Sequence, residues 1–149
     1  MKRHYTFWLI AIVTIVLDQL TKWVVTSTME VGRSIPVFPF FSLTHIRNTG
    51  AGFGILQGQN TIFILVALIA IVAIVLMMKK ILEKHHTTVF ATLILGGAAG
   101  NLIDRLVYGS VTDFLNFSFW PAFNLADAAL TIGVLGLIWM EIREEKDRK

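Results

Sequence analysis

The sequence has no cysteine and few charged residues. Without cysteine it can form neither a disulfide nor a thiolate nucleophile. Charged side chains make up 15% of the 149 residues, whereas 55% are hydrophobic and the mean hydropathy is +0.69. A soluble domain of this length and composition would expose too much apolar surface. The sequence therefore predicts a polytopic membrane protein.

Two further absences restrict the chemistry. The helical His-Glu-x-x-His pattern of zinc peptidases does not occur, nor does a phosphate-binding glycine loop outside the apolar runs. His85 and His86 are adjacent, which is not the spacing of metal ligands. A serine–histidine device would need a serine placed near His45, and no spacing supports one. We expect neither a metal nor an organic cofactor.

The basic residues are distributed as in a membrane protein. The net charge is +3 and the isoelectric point is about 9.5, a balance that nucleic-acid-binding proteins also show. Nine of the 13 lysines and arginines, however, flank apolar runs: Lys2, Arg3, Lys79, Lys80, Lys84, Arg143, Lys146, Arg148 and Lys149. Cytoplasmic segments of membrane proteins carry this excess of positive charge. We therefore expect membrane lipid around the chain, and no nucleic acid.

Four apolar runs approach the length of a membrane-spanning helix, which needs about 20 residues. They are residues 7–25, 62–78, 87–107 and 125–142. The first run continues past the length of a signal-peptide core, so we expect it to remain uncleaved. Four spans place both termini in the cytoplasm and loops 29–60 and 108–122 outside. The predicted fold is a single all-α membrane domain, residues 1–149, built as a four-helix bundle.

Residues 29–60 differ from the apolar runs in composition. Prolines and glycines interrupt short strand-like stretches at 35–37 and 40–45. The pattern predicts a small extracytoplasmic module of strands and turns between the first two spans, with a short helix or loop near 51–56. Asn48 and Gly50 lie in its middle, where they form either an ordinary tight turn or a site that holds a substrate backbone.

Polar residues gather between positions 96 and 127, in a chain that is otherwise mostly hydrocarbon. The group comprises Asn101, Asp104, Arg105, Asp113, Asn124 and Asp127. Ionisable groups at membrane depth are costly unless they are paired or hydrated, so these residues are functional candidates. The predicted topology brings the three aspartates near the outer face. Two carboxylates that share one proton can polarise a water for attack on an amide carbonyl.

The neighbours of the aspartates favour Asp113 and Asp127 as that pair. Asp113 lies among apolar residues, which favour the protonated acid, and alanines around Asp127 leave room for a partner and a substrate. Arg105 directly follows Asp104 and would favour its ionised form. We therefore expect Asp104, Arg105 and Asn101 to form a brace beside the pair. On the residues alone, Asp104 stays open as the alternative to Asp113.

Two other polar pairs bear on the site. Asn124 lies three residues before Asp127 and therefore on the same helical face, from which it can hydrogen-bond a carboxylate or the substrate. Asp18 and Lys22 lie four apart in the first span. They form either an ion pair that stabilises two charges near the membrane boundary or a support for the site.

Three alternative interpretations compete with a peptidase. The charges could form a network that only fixes packing, and Gly96 and Gly100 have the spacing of closely packed helices. The chain could also be a non-catalytic assembly subunit. A proton-conducting transporter would distribute its acids across the depth of the bilayer, whereas here they cluster on one side.

The motifs together resemble the lipoprotein signal peptidases, also called signal peptidase II. In chain order they are Asp18-Gln19-x-Thr21-Lys22, Arg47-Asn48-Thr49-Gly50-Ala51, Gly100-Asn101-x-x-Asp104-Arg105, Val111-x-Asp113-Phe114 and Phe123-Asn124-x-Ala126-Asp127. Each motif is short, but all of them in this order on four spans are highly specific.

The resemblance implies an aspartic endopeptidase of the bacterial inner membrane. Such an enzyme removes the signal peptide of a prolipoprotein on the N-terminal side of a cysteine that carries diacylglyceryl. The family's catalytic pair falls on Asp113 and Asp127, near the extracytoplasmic face. Its supporting residues fall on Asp18, Lys22, Asn48, Gly50, Asn101, Arg105 and Asn124. The module at 29–60 would form a small sheet and a flexible helix that cover the substrate. We expect a monomer.

Overall fold

The computed structural model of the chain describes residues 2–51 and 55–147. Its elements are α1 (Lys2–Thr28), β1 (Ser34–Phe38), β2 (Phe41–Asn48), α2 (Asn60–Leu76), α3 (Met78–Ile81), α4 (His85–Tyr108), β3 (Val111–Phe117), β4 (Trp120–Phe123) and α5 (Leu125–Asp147). The other helices pack around α4. The four strands form one sheet at the end of the bundle where α1 and α4 finish and α2 and α5 begin. We call this end the sheet end.

Within the described residues, three helices are long and apolar enough to cross a membrane: α1, α4 and α5. They contain the runs predicted at 7–25, 87–107 and 125–142. The run predicted at 62–78 is a shorter helix, because α2 has 17 residues and ends at Leu76, and the short α3 follows. α2 contains no charged residue and buries none of its side chains, as expected of a helix surrounded by lipid.

The sheet draws its strands from both segments that were predicted to lie outside. It is antiparallel in the order β1-β2-β3-β4. β1 and β2 lie in residues 29–60, as predicted. β3 and β4 lie in the segment predicted as a loop, so the prediction of a β module only between the first two spans was incomplete. Asp113 and Asn116, which are depleted in strands, obscured β3 in the sequence. Pairing with β2 on one side and β4 on the other stabilises it.

Part of the predicted cover over the substrate lies outside the described residues. The helix or loop predicted near 51–56 includes residues 52–54, which lie outside the described residues, and residues 55–58 form a turn. Gly50, at the start of this segment, has little room around it. A Cβ at Gly50 would lie 2.6 Å from the backbone oxygen of Ile55.

Two small apolar clusters hold the elements together. At the end opposite the sheet, Phe7 and Ala11 of α1 pack with Ala91 and Leu95 of α4 and with Leu82. At the sheet end, Val25 and Met29 pack against Phe114 of β3. The second cluster fixes the sheet to the end of α1, and thereby fixes the strand that carries Asp113.

Close contacts between α4 and α5 depend on glycine. A Cβ at Gly97 would overlap the backbone oxygen of Ala126, and one at Gly133 would lie 2.7 Å from the backbone oxygen of Phe90. Since backbone atoms cannot rotate away as side-chain atoms can, these positions set the distance between the two helices. The α4–α5 contact in turn positions the start of α5, where Asp127 lies.

Gly133→Ala should therefore loosen the helix pair. The added methyl group meets the Phe90 backbone, and overpacking of this kind costs about 1–3 kcal/mol. Leu135→Ala is the matched control, because Leu135 is two residues away on the exposed surface of α5. Thermal unfolding in detergent micelles compares the two variants with the native chain. Equal midpoints for all three would show that the glycine does not set the packing.

Candidate active site

Asn124 bonds to both Asp113 and Asp127. Its side-chain amide Nδ2 donates to Oδ1 of Asp113 over 2.7 Å, and its backbone N–H donates to Oδ2 of Asp127 over 3.2 Å. The backbone N–H of Asp127 donates in return to Oδ1 of Asn124 over 2.9 Å. Asn124 and Asp113 are buried, and Asp127 is partly buried. The structure thus brings together the two aspartates that the sequence analysis paired.

The start of α5 explains why Asp127 is held in this way. Asn124 is the N-cap of α5, and Asp127 is the third residue of the helix. Their two reciprocal hydrogen bonds form a capping box, in which cap and third residue satisfy each other's free N–H groups. Asp18 of α1 accepts the next free donor, the backbone N–H of Ala126, over 2.9 Å. Helix capping and placement of the carboxylate are therefore the same set of contacts.

Asp113 is positioned by the sheet. It pairs with Ile46 of β2, beside a register shift between Leu43 and Ile46, and irregularities of this kind re-aim side chains. Asn48 then donates Nδ2 to Oδ2 of Asp113 over 2.8 Å, while its Oδ1 accepts the backbone N–H of Gly50 over 2.9 Å. Because Oδ1 of Asn48 accepts the N–H of Gly50, Nδ2 of the same amide faces Asp113.

Asp127 receives a second amide from the bundle. Asn101 of α4 donates Nδ2 to Oδ1 of Asp127 over 2.8 Å, and its own Oδ1 accepts Lys22 Nζ over 2.9 Å. Lys22 also lies 2.8 Å from Oδ2 of Asp18 and 3.6 Å from Oδ2 of Asp104. The ammonium group therefore pairs with two buried carboxylates and orients the amide that binds Asp127.

The predicted brace of Asp104 and Arg105 is wrong in its pairing. Among the described residues, Lys22 is the cation within 4 Å of Asp104, whose Oδ2 also accepts the backbone N–H of Thr112 over 2.8 Å. Arg105 instead donates Nη2 to the backbone oxygen of Gly50 over 2.8 Å and Nη1 to Asn60 over 3.2 Å. Successive helical residues point about 100° apart, so neighbours in sequence face different partners.

Sequence reasoning missed three residues that support the site. Gln19 donates its amide to Asp104 over 3.1 Å and to the backbone oxygen of Gly100 over 3.0 Å. Thr112 binds Asp104 through its backbone, and Asn60 binds Arg105. Gln19 could have been found from its place beside Asp18 in the first motif. The other two contacts depend on the path of the chain outside the helices, which the local sequence does not encode.

A cavity of about 710 Å³ opens onto the two aspartates between α2, α4 and α5. Asp113 and Asp127 line it at the sheet end, and Val66, Ala98 and Leu130 line it further along the helices. A second cavity, of about 450 Å³, reaches Asp113 from the sheet and is lined in part by Gln57 and Ser118. The site therefore has one largely apolar approach and one more polar approach.

Burial changes the proton affinity of Asp113. Burial, the largest cause, and the nearby carboxylate of Asp127 together raise the pKa of this carboxyl from 3.8 to about 7. The amides of Asn48 and Asn124 and the ammonium of Lys22 act in the opposite direction. Asp113 consequently keeps a proton at pH values where an exposed aspartate is ionised.

Within residues 2–51 and 55–147, no three His, Cys, Asp or Glu side chains converge so that they could hold a metal ion. The carboxylates of the site are already bound by amides and by Lys22.

Comparison with known proteins assigns the family. Residues 10–143 match the family model described as signal peptidase (SPase) II. The chain belongs to the signal peptidase II family. The resemblance seen in the motifs is confirmed, and so is the prediction that the protein is a peptidase of the kind that processes lipoproteins.

Relatives and solved structures agree with this family. The lipoprotein signal peptidase of Halalkalibacterium halodurans is 47% identical over 96% of this chain and 96% of its own length. That of Listeria monocytogenes is 41% identical over 95% of this chain and 97% of its own length. A bacterial membrane enzyme solved at 2.3 Å by the in meso method is 37% identical and superposes with a TM-score of 0.90, covering 97% of this chain and 92% of that one.

The buried Lys22 cluster should be essential for the stability of this signal peptidase II family member. Lys22→Met leaves Asp18 and Asp104 without their cation, and breaking a buried ion pair costs about 3–5 kcal/mol. Lys84→Met, which breaks the exposed pair with Glu144, should cost less than about 1 kcal/mol. Unfolding in detergent micelles measures both.

Adding Asp18→Asn to Lys22→Met should restore part of the lost stability, because one uncompensated charge is then removed. An unchanged unfolding midpoint in Lys22→Met would show that the cluster does not stabilise the fold.

Proposed function

We propose that Asp113 and Asp127 are the catalytic pair of an aspartic endopeptidase that cleaves prolipoproteins on the N-terminal side of a diacylglyceryl-modified cysteine. The observation that carries the proposal is their joint attachment to Asn124 at the end of an apolar cavity. Two buried carboxylates that lie close together favour holding one proton between them. The family supplies the reaction, and among the described residues Asp113 and Asp127 are the two acids joined through Asn124 at this cavity.

The large cavity suits the signal peptide and the lipid. Its walls are side chains of α2, α4 and α5, among them Phe63, Val66 and Leu130. An apolar signal helix and the acyl chains can remain in a hydrocarbon environment there, while the peptide bond reaches the carboxylates. Binding energy from these remote apolar groups would be used to hold the scissile bond against the pair.

The two carboxyl groups divide the work of hydrolysis. Asp113, whose pKa is about 7, carries the shared proton and donates it to the substrate carbonyl oxygen as water attacks. Asp127 takes the proton from that water, held in place by the amides of Asn101 and Asn124. The more polar cavity that reaches Asp113 provides a route for the water. Asp127 then passes the proton taken from water to the leaving amine as the carbon–nitrogen bond breaks, and the tetrahedral intermediate returns its hydroxyl proton to Asp113 as the carbonyl re-forms.

The remaining polar residues support this geometry. Asn48 and Asn124 hold Asp113, and Asn101 with Lys22 holds Asp127. Asp18 accepts a backbone donor of α5, while Asp104 fixes Thr112, the residue before Asp113. Arg105 and Gly50 are bonded to each other at the cavity rim, where Arg105 can meet the substrate backbone or the lipid ester. None of these contacts requires a cofactor.

The orientation in the bilayer follows from the charges. Four spans, with α2 as the second, put both termini and the basic segment 77–84, which contains α3, on the cytoplasmic side of the bacterial inner membrane. Arg3 donates to the backbone oxygen of Leu82 over 2.8 Å, so the start of α1 and this segment lie together. The active site then lies near the extracytoplasmic face. A single chain contains every residue of the site, in keeping with a monomer.

Removing either carboxylate should abolish cleavage. Asp113→Asn and Asp127→Asn each lose the shared proton and should lower kcat by at least about 10³-fold, a loss in the range of general acid–base catalysis. Asp104→Asn is the matched control and should be milder, since an amide oxygen can still accept the Thr112 N–H. Cleavage of a lipid-modified precursor by purified protein is the assay. Native turnover in either variant of the pair, or total inactivity confined to Asp104→Asn, contradicts the assignment.

The pH dependence should report the proton of Asp113. Because its pKa is raised to about 7, kcat/KM should fall as the pH rises through that value and the acid is lost. Asn48→Ala removes a hydrogen bond that stabilises the carboxylate, which raises the pKa further and moves the fall in kcat/KM to higher pH. Profiles are measured with a lipidated peptide in micelles.

Asn116→Ala, the same change at a β3 residue that bonds Ser42 and Thr44, should leave the profile in place. A profile that shifts equally in both variants, or in neither, contradicts the role of Asp113.

A further inference from the structure

Exposed aromatic side chains cluster at the two hairpin turns of the sheet. At the turns between β1 and β2 and between β3 and β4, Phe38 is 60% exposed, Phe40 53%, Phe119 74% and Trp120 57%. We call these four residues the aromatic tip. They continue a row of ring contacts along the sheet, in which the ring centroids of Phe117 and Phe119 lie 5.7 Å apart. Exposed apolar patches of this kind mark an interaction surface.

The sheet around the aromatic tip carries no charge. Residues 34–46 and 114–126 contain no aspartate, glutamate, lysine or arginine. β1 is an edge strand, and its exposed side chains include Ile35 and Val37. Edge strands that face water are usually protected by charged residues. The absence of charge beside so many exposed rings indicates a surface that water does not cover.

The position of Trp120 makes this surface continuous with the part of the protein that lies in lipid. Trp120 lines the large cavity together with Val66 and Ala70 of α2 and Ile132 of α5. Side chains of the sheet and of apolar helices thus border one opening. Trp120 therefore places one side of the aromatic tip beside the large cavity.

We propose that the aromatic tip inserts into the interfacial layer of the membrane and anchors the sheet to the lipid surface beside the cavity. Aromatic rings are enriched at this level, where ring faces contact acyl chains and polar groups remain hydrated. The depth is limited, because the unpaired edge of β1 cannot enter the hydrocarbon core without losing water from its backbone groups. A second copy of the chain fits less well, since Pro36 in the edge strand lacks an N–H for strand pairing.

A single tryptophan tests the depth of the tip. In the full chain, Trp8, Trp23, Trp120 and Trp139 are replaced by phenylalanine, and Phe119→Trp supplies the probe. The protein is reconstituted in vesicles of phosphatidylcholine and phosphatidylglycerol, with brominated acyl chains or with iodide on both sides. We expect loss of probe fluorescence with brominated lipid, greatest when bromine is near the headgroups, and little loss with iodide.

Two further probes calibrate the result. A chain that retains only Trp23, on the exposed surface of α1, should be quenched by brominated lipid. A chain with Asp147→Trp, in the charged end of α5, should be quenched by iodide. If the Phe119→Trp chain does not fold, the chain that retains only Trp120 is measured in its place.

Loss of the anchor should release the probe. Phe38→Ser with Phe40→Ser, added to the Phe119→Trp chain, should shift its emission to the red and increase quenching by iodide. Quenching of the unaltered tip by iodide alone would overturn the proposal, because the tip would then lie in water. Protection from both quenchers would also overturn it, because protein would then cover the tip. No readout requires catalytic turnover, so the result is independent of the peptidase assignment.

Discussion

A buried ammonium group between carboxylates is the interaction on which the rest of the structure depends. Lys22 of α1 lies against Asp18 of its own helix and reaches Asp104 of α4, and all three are nearly inaccessible. In hydrocarbon surroundings an unpaired charge is strongly unfavourable. The ion cluster therefore holds the two helices in one register at the sheet end, which is where the candidate catalytic residues lie.

The cluster also determines which way the neighbouring amide points. Lys22 can only donate, so it binds the oxygen of Asn101 and leaves the amide nitrogen to face Asp127. Asp18, the partner of Lys22, accepts an N–H at the start of α5. The structural carboxylates Asp18 and Asp104 are thus paired with a cation. The candidate catalytic carboxylates are connected to them through Asn101, but are held by amides that leave them able to share a proton.

This separation bears on the choice between Asp113 and Asp104, which the sequence left open. Neighbouring residues favoured Asp113 over Asp104 because an apolar setting favours the protonated acid, and the structure gives Asp113 a raised pKa. Asp104 is indeed close to a cation, as expected, but the cation is Lys22 and not Arg105. The sequence could place each residue on its helix. It could not give the rotation of α1 against α4, which decides the ion pair.

The sequence predicted helices more fully than strands for a physical reason. A helix closes its own hydrogen bonds, so its signal lies within one continuous apolar run. A strand is completed by partners elsewhere in the chain, and β3, with Asp113 and Asn116, carries a weak signal by itself. The capping box at Asn124 and Asp127 was visible in part, since their spacing put them on one face. The second role of Asn124, the hydrogen bond from its side chain to Asp113, could not be predicted from the sequence, because only the fold brings the two residues together.

Infrared spectroscopy of the carboxyl groups tests the central claim most directly. If Asp113 and Asp127 share a proton, the reconstituted chain should show the carbonyl band of a buried carboxylic acid below neutral pH. That band should disappear as the pH rises through about 7. It should also be lost or displaced when either aspartate is replaced by asparagine. A spectrum without the band at acidic pH, or a band that neither replacement alters, would contradict the account.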